Sequence, residues 1–170
     1  MLLLVVELFY PQAWLLTVLA CFAALVHGAR LWGWYSRLIW SVPLLWVLHL
    51  GYAWLVLGLV FKAALITEAV APVLATHALA AAIAVLCLGM MSRVALGHTG
   101  RMLMPAASMG WAFAFINLAM VARVLLPMIV PAWIIPATIA SAGLWLLAFA
   151  LFVHVYWPVL SRARVDGQPG

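Results

Sequence analysis

Apolar residues dominate five long stretches of the chain, and polar residues collect in the shorter segments between them. A membrane-spanning helix needs about 20 predominantly apolar residues, with a range of about 17 to 25. Each stretch meets that length, so the pattern predicts an all-α fold, a polytopic transmembrane helical bundle of about five helices. The predicted spans are 11–27, 40–61, 71–91, 105–124 and 133–157. The apolar residues before Pro11 could extend the first span.

The composition supports this prediction and excludes several classes of protein. Of the 170 residues, 71% are hydrophobic and 6% are charged, whereas a soluble domain carries about 25% charged residues. The chain therefore lacks the polar surface that a cytosolic enzyme, a secreted domain or a nucleic-acid-binding protein needs. Cys21 and Cys87 stand alone in apolar runs, so we expect small core residues rather than a disulfide framework or a zinc site.

The basic residues predict the orientation of the bundle. Lys62 and Arg123 fall on one side of the membrane, and the other side holds Arg30, Arg37, Arg93, Arg101, Arg162 and Arg164. Because basic residues are enriched on the cytoplasmic side, we expect the N-terminus outside and the C-terminus inside. The net charge of +5 then gives no indication of nucleic acid. Residues 1–161 are predicted to form a single transmembrane helical domain, followed by a disordered cytoplasmic tail at 162–170.

Two of the five histidines are predicted to lie deep inside the bilayer, where ionisable residues are functional candidates. His49 is near the middle of the second span, and His77 is about two turns inside the third. At a rise of 1.5 Å per residue their depths differ by at most about 10 Å. A buried, neutral imidazole is a common metal ligand, so the two histidines are predicted to hold one haem iron. Each could instead only hydrogen-bond a neighbouring carbonyl.

Other residues extend this candidate site. Alanines 80, 81 and 84 follow His77 at helical spacing and leave room for a flat macrocycle or for another helix. His27 and His154 have similar predicted depths on the inner side, so they could form a second metal site or only face lipid headgroups. Arg123 could pair with Glu68, bind a haem propionate or reach toward the membrane surface.

The predicted connection after the third span is basic and glycine-rich. Arg93, His98 and Arg101 occur there together with Gly97 and Gly100. Glycine allows close approach to the backbone, and successive backbone N–H groups can bind anions. The segment suits an anion, a haem propionate or a lipid headgroup, although basic residues are expected in this position in any case.

Four motifs in this order resemble the NnrS family. They are HGARLW at 27–32, PLLWVLHLGYAW at 43–54, THAL at 76–79 and MMSRVALGHTGR at 90–101. The resemblance covers about residues 27–126 and corresponds to the later part of the usual family sequence. It places His27, His49, His77 and His98 at family histidine positions. Because one chain supplies about half of the usual family bundle, we expect a homodimer.

The resemblance implies a multi-pass protein of the bacterial inner (cytoplasmic) membrane, associated with haem and copper and linked to the nitric oxide response and protection against nitrosative stress. Haem b is the cofactor expected at the intramembrane histidines, with copper as a further expectation. Nitric oxide is then the small-molecule partner. An open axial position on the iron would allow it to bind, whereas two axial histidines would favour electron transfer.

Two further functions stay open. The chain could be a b-type cytochrome subunit that passes electrons from quinol to a nitric-oxide-reducing centre, with Tyr52, Trp54 and Lys62 lining a quinol pocket near the outer face. It could also be a metal-free channel or an assembly factor, although proton-coupled transport usually needs more carboxylates than this chain has. Turnover, and hence enzyme activity, is not decided by the sequence.

Overall fold

The computed structural model describes residues 2–10 and 12–168, and within these residues all regular structure is helical. Three short 3-10 helices accompany the longer elements at Arg37–Ser41, Leu65–Thr67 and Pro131–Trp133. The α-helices are α1 (Leu2–Phe9), α2 (Ala13–Gly33), α3 (Pro43–Ala64), α4 (Pro72–His98), α5 (Ala107–Ile129) and α6 (Ile134–Leu160).

Five of these helices are long and apolar enough to cross a membrane. They are α2 to α6, which have between 21 and 27 residues. A helix of 20 residues is about 30 Å long, close to the thickness of the bilayer hydrocarbon. The predicted all-α fold with five candidate spans is therefore confirmed, and the chain is a multi-pass membrane protein. The orientation of its termini stays a prediction.

The helix ends differ from the predicted spans, most clearly at α1 and at the end of α4. The residues before Pro11 form α1, a helix of eight residues separate from the first span. Helix α4 continues to His98, so the prediction that His98 and Arg93 lie in a connection is wrong. The apolar pattern underestimates α4 because Ser92, Ala95 and Leu96 are still buried there, and packing therefore continues beyond the apolar run. Gly100, with φ +71°, follows the helix end in a conformation that favours glycine.

Proline helps to define where the spans begin. Pro43 and Pro72 stand at the first positions of α3 and α4, where the missing backbone N–H has no helical partner to lose. Pro136 lies in the first turn of α6, where proline is tolerated.

The core of the bundle lies at the centre of α3, α4 and α5. Consecutive helices pack against each other along the chain, and α4 also contacts α6 while α3 contacts α5. The fully buried side chains come largely from α4 and α5 and include Ala78, Ala81, Val85, Leu88, Phe113 and Ile116. Cys21 and Cys87 are exposed, so their predicted core positions are wrong: each sits on the outer face of its helix, where lipid replaces protein as the apolar neighbour.

The polar tail follows α6 and returns to the end of α4. The backbone N–H of Val165 donates to the carbonyl of Thr99 over 3.2 Å. The Asp166 carboxylate lies against Gly100, at 2.6 to 3.0 Å from the position that a Cβ atom would occupy there. The described tail, which ends at residue 168, thus contacts the glycine-rich turn, and the disorder predicted for 162–170 stays a prediction.

Candidate functional site

A cavity of about 470 Å³ lies between α4, α5 and α6. We call it the His77 cavity, and its lining includes His77, Ala80, Ala84, Arg123, Ser141 and Trp145. The three α4 residues are spaced three and four apart, so they share one face of that helix. Ala81, which was predicted to belong to the same strip, is fully buried in the core instead.

Two polar side chains give the His77 cavity its chemistry. The Nδ1 atom of His77 is buried and has no hydrogen-bond partner among the described residues, a condition that costs about 1 to 3 kcal/mol. His77 is five residues after the start of α4, and Arg123 is six residues before the end of α5. At 1.5 Å per residue both lie about 8 to 9 Å inside the same end of the bundle. The cavity thus combines an unpaired imidazole nitrogen with a guanidinium group.

A second cavity, of about 680 Å³, lies where α2 and the Arg37–Ser41 helix meet α3 and α4. We call it the His49 cavity, and its lining includes Trp34, Ser36, Leu38, His49, Tyr52 and Met90. His49 and Tyr52 are three residues apart and share one face of α3. Their polar atoms therefore enter an otherwise largely apolar space.

Aromatic and basic residues surround the His49 cavity. The Nδ1 atom of His27 on α2 is 2.5 Å from the hydroxyl oxygen of Tyr52. The Trp34 ring lies 5.0 Å from the Tyr52 ring, and the Arg30 guanidinium lies 5.0 Å from the centre of the Trp34 ring, within the range of a cation–π contact.

Two further aromatic rings frame His49. The ring centres of Tyr35 and Trp40 lie 6.0 and 6.4 Å from that of His49. The sequence analysis did not identify this role of Tyr35 and Trp40. Their dense spacing next to a histidine-bearing span was the signal that could have revealed it.

The structure does not bring His49 and His77 together in one cavity, although α3 and α4 are neighbours. His77 lies nine residues before Leu86, which lines the His49 cavity, so the two side chains project from α4 about 180° apart. His49 is near the start of α3 and His77 is near the start of the antiparallel α4. The difference in depth is about 15 Å, larger than the sequence suggested.

The other candidate residues are also separated. His27 contacts α3 through Tyr52, whereas His154 is exposed on α6, which packs mainly against α5. Arg93 and His98 are exposed on α4. Arg101 follows that helix and has a buried Nη1 atom without a hydrogen-bond partner in the part of the chain that the structure describes.

Polar contacts elsewhere explain residues that the sequence left ambiguous. Trp54 donates its indole N–H to the side-chain oxygen of Asn117 over 3.2 Å, and this hydrogen bond joins α3 to α5. Lys62 pairs with Glu7 at 2.5 Å. Tyr52, Trp54 and Lys62 therefore have three different surroundings, and the structure does not assemble the predicted quinol pocket near the outer face.

Arg123 has no carboxylate partner in an ion pair between described residues. The two ion pairs there join Lys62 to Glu7 and Arg164 to Asp166, and neither involves Glu68. The guanidinium of Arg123 is thus available to a ligand of the His77 cavity.

Comparison with known proteins identifies the family. The sequence profile of the family described as NnrS protein matches residues 1–164, nearly the whole chain. The chain belongs to the NnrS family. No curated protein and no solved structure matches it. The match extends beyond the residues that carry the four motifs. Membership of the NnrS family makes this chain a membrane protein of the nitric oxide response.

The NnrS family is associated with haem and copper, and the cavities allow a test of whether the residues present fit each one. In the His77 cavity, the buried, unpartnered imidazole nitrogen could serve as an iron ligand. The guanidinium could bind a propionate, and the small alanines leave room for a flat ring. Copper does not fit in the same way. Within residues 2–10 and 12–168, no three His, Cys, Asp or Glu residues cluster as metal ligands.

Proposed function

We propose that this NnrS protein binds haem b in the His77 cavity, in the inner membrane of a bacterium, and that His77 is the ligand which the chain gives to the iron. The observation that carries the proposal is the buried Nδ1 atom of His77, which has no hydrogen-bond partner among the described residues. Buried polar atoms are nearly always paired, so an unpaired one beside a cavity indicates a missing ligand.

Arg123 supports the proposal by its charge and its position. It lines the same cavity as His77, and no carboxylate in the described part of the chain forms an ion pair with it. A guanidinium binds a carboxylate through two parallel hydrogen bonds. We therefore assign Arg123 to a haem propionate, which would remove the cost of an unpaired charge at membrane depth.

The walls of the cavity match a flat apolar ring. Ala80 and Ala84 of α4 and Ala142 of α6 carry no side-chain bulk beyond Cβ, and Trp145 provides an aromatic surface. Trp145 is held by Phe149, whose ring centre lies 4.3 Å away. Small side chains on two helices and a fixed aromatic wall leave a slot between α4 and α6.

A single histidine in this cavity favours the nitric oxide role over electron transfer. If this chain gives the iron no second ligand, bound haem would supply a metal that can take up a diatomic gas. His77 is the histidine among the residues that line this cavity, because His49 lines the other one. The apolar lining keeps water away and admits a small, apolar gas from the lipid. The chain thus orients one imidazole and excludes solvent.

The test is haem content measured by the pyridine haemochrome assay on full-length protein purified in detergent. We expect His77→Ala to lower haem content at least about tenfold, because even the loss of a group that only hydrogen-bonds a metal ligand typically costs about 10- to 100-fold in metal affinity. Thr76→Ala, an exposed neighbour in the same turn of α4, serves as the matched control and should keep haem. Circular dichroism and gel filtration establish that each variant is folded.

The same assay separates the two cavities. Arg123→Gln should weaken retention of haem without abolishing it, and His49→Gln should leave haem content unchanged. Full haem occupancy in a folded His77→Ala protein would overturn the assignment, as would loss of haem confined to His49→Gln.

A further inference from the structure

We infer that the His49 cavity binds the ring of a membrane-soluble quinone or quinol, with the His49 imidazole and the Tyr52 hydroxyl as its hydrogen-bonding groups. This site lies on the opposite face of α4 from the His77 cavity. The inference goes beyond the proposed haem function and does not depend on it.

The size and lining of the cavity indicate a lipophilic ligand. Its volume of about 680 Å³ is within the range of about 300 to 1,000 Å³ that is typical of small-molecule sites. The lining is apolar except for Ser36, His49 and Tyr52. A quinone has the same division, an apolar ring and tail with two uncharged oxygen atoms. Few polar groups in an apolar lining are what orient such a ligand.

The lining of this cavity fits a quinone better than haem, because the described residues that form it include no cationic side chain. Haem carries carboxylates, and Arg123 lines only the other cavity. Among the described residues, no Lys or Arg lines the His49 cavity, and the nearby Arg30 guanidinium stacks on the Trp34 ring. An uncharged ligand needs no such partner.

The hydrogen bond between Tyr52 and His27 fits a ligand with two redox forms. A quinone presents carbonyl oxygens, which accept hydrogen bonds, whereas a quinol presents hydroxyl groups, which also donate. Tyrosine and neutral histidine can each donate and accept. Because the Tyr52 oxygen is 2.5 Å from His27 Nδ1, Tyr52 has a partner that can take either role when the ligand changes form.

The position of the cavity allows entry from the lipid. Leu38 and Trp34 line it and are 75% and 52% exposed, so its opening is on the outer surface of the bundle. Met90 of α4 lines it as well. Tyr35 and Trp40 lie beside the His49 ring. A ligand that diffuses within the bilayer can reach His49 without crossing the bundle.

Binding can be measured on the full chain in detergent with decylubiquinone as the probe, by isothermal titration calorimetry. Decanol, which has the same tail length and no ring, reports nonspecific partition into the detergent. We expect saturable binding of decylubiquinone that decanol does not displace. No saturable binding, or equal competition by decanol, would overturn the inference.

Two variants test the assigned groups. Tyr52→Phe keeps the ring and removes the hydroxyl, and His49→Gln keeps a polar group of similar length; each should raise the dissociation constant about fivefold. Tyr10→Phe, an exposed tyrosine outside both cavities, is the matched control and should bind like the parent protein. Unchanged affinity in both folded variants would overturn the inference.

Measuring haem content on the same preparations distinguishes a failure of this inference from a failure of the proposed function. His77→Ala should bind decylubiquinone like the parent protein whether or not it retains haem. If His49→Gln loses haem while His77→Ala retains it, the His49 cavity is the haem site and the quinone assignment fails.

Discussion

The glycines at the contact between α3 and α4 are packed much more closely than the glycines of α2 and α6. A Cβ atom on Gly58 would lie 2.6 Å from the side chain of Leu79 and 2.9 Å from its backbone nitrogen. Gly51 faces Leu86 in the same way, at 2.8 Å. On α6, by contrast, a Cβ atom on Gly143 would meet nothing within 4 Å. Glycines thus bring the backbones together in the centre, where membrane helices gain packing energy.

The outer helices α2 and α6 have fewer buried residues than α4, and each borders a cavity. In the most apolar stretch of α4, 44% of residues are buried, against 6% in α2 and 17% in α6. The His77 cavity opens between α4 and α6, and the His49 cavity opens beside the end of α2. The comparison indicates that a closely packed helix pair holds both candidate histidines, while the less buried helices α2 and α6 border the two cavities.

The largest effect is expected from Gly58→Ala, which tests the close contact directly. The added methyl group must displace Leu79, including its backbone, so we expect a loss of about 1 to 3 kcal/mol in the free energy of unfolding. Gly143→Ala is the matched control. It should be neutral or stabilising by up to about 1 kcal/mol, because alanine favours a helix.

Unfolding in detergent, followed by circular dichroism against added denaturant, measures both glycine variants. Equal stability of Gly58→Ala and Gly143→Ala would contradict the difference between the centre and the outer helices.

Much of the fold was predictable because long apolar runs have few stable arrangements in lipid. All five spans were found from the pattern, and the predicted starts at 40 and 71 are close to the first residues of α3 and α4, Pro43 and Pro72. The end of α4 was not predictable in this way. The last turns of α4 are held by Ser92, Ala95 and Leu96, which are buried in the bundle. Counting apolar residues along one helix does not reveal such burial.

The candidate site was predictable as a set of residues but not as an arrangement. Sequence reasoning selected His49, His77 and Arg123, and the structure puts the last two at one cavity. It could not separate His49 from His77, because depth was counted from approximate span ends and the direction of each side chain was not considered. That direction follows from the helix phase, which the contact between Gly51 and Leu86 fixes.

A smaller effect is expected at the polar contact between α3 and α5. Trp54 is 8% exposed and donates to Asn117 over 3.2 Å. Because hydrogen bonds between membrane helices contribute about 0.6 kcal/mol and at most about 1.7, Asn117→Leu should lower the free energy of unfolding by that amount.

A double-mutant cycle with Trp54→Phe separates the contribution of the Trp54–Asn117 hydrogen bond from the effect of lost packing. We expect a coupling energy near 0.6 kcal/mol. A coupling of zero would mean that the hydrogen bond adds nothing to the packing of these helices.

The ion pair between α1 and α3 should contribute less still. Lys62 and Glu7 approach to 2.5 Å, but the Glu7 side chain is 42% exposed, and such pairs contribute about 0.2 to 1 kcal/mol. Glu7→Gln should lower stability by no more than this, and the difference should shrink in high salt because ions screen exposed charges. Unfolding at low and at high salt measures it, and a loss that does not depend on salt would exclude the ion pair as its cause.

The smallest effect is expected where the tail meets the turn after α4. Two hydrogen bonds from Arg164, at 2.9 and 2.5 Å, lower the pKa of the Asp166 carboxyl from 3.8 to about 2. A lowered pKa means that the charged form stabilises the folded tail at pH values above 3.8, and that this contribution is lost as the pH falls through about 2. Arg164→Gln should move the midpoint of the Asp166 carboxyl titration, followed by NMR, toward 3.8, whereas Arg162→Gln should not. Because the pair lies at the surface, with side chains 26% and 36% exposed, neither change should alter the unfolding of the helices. A drop in global stability in Arg164→Gln would show that the tail contributes to the packed centre after all.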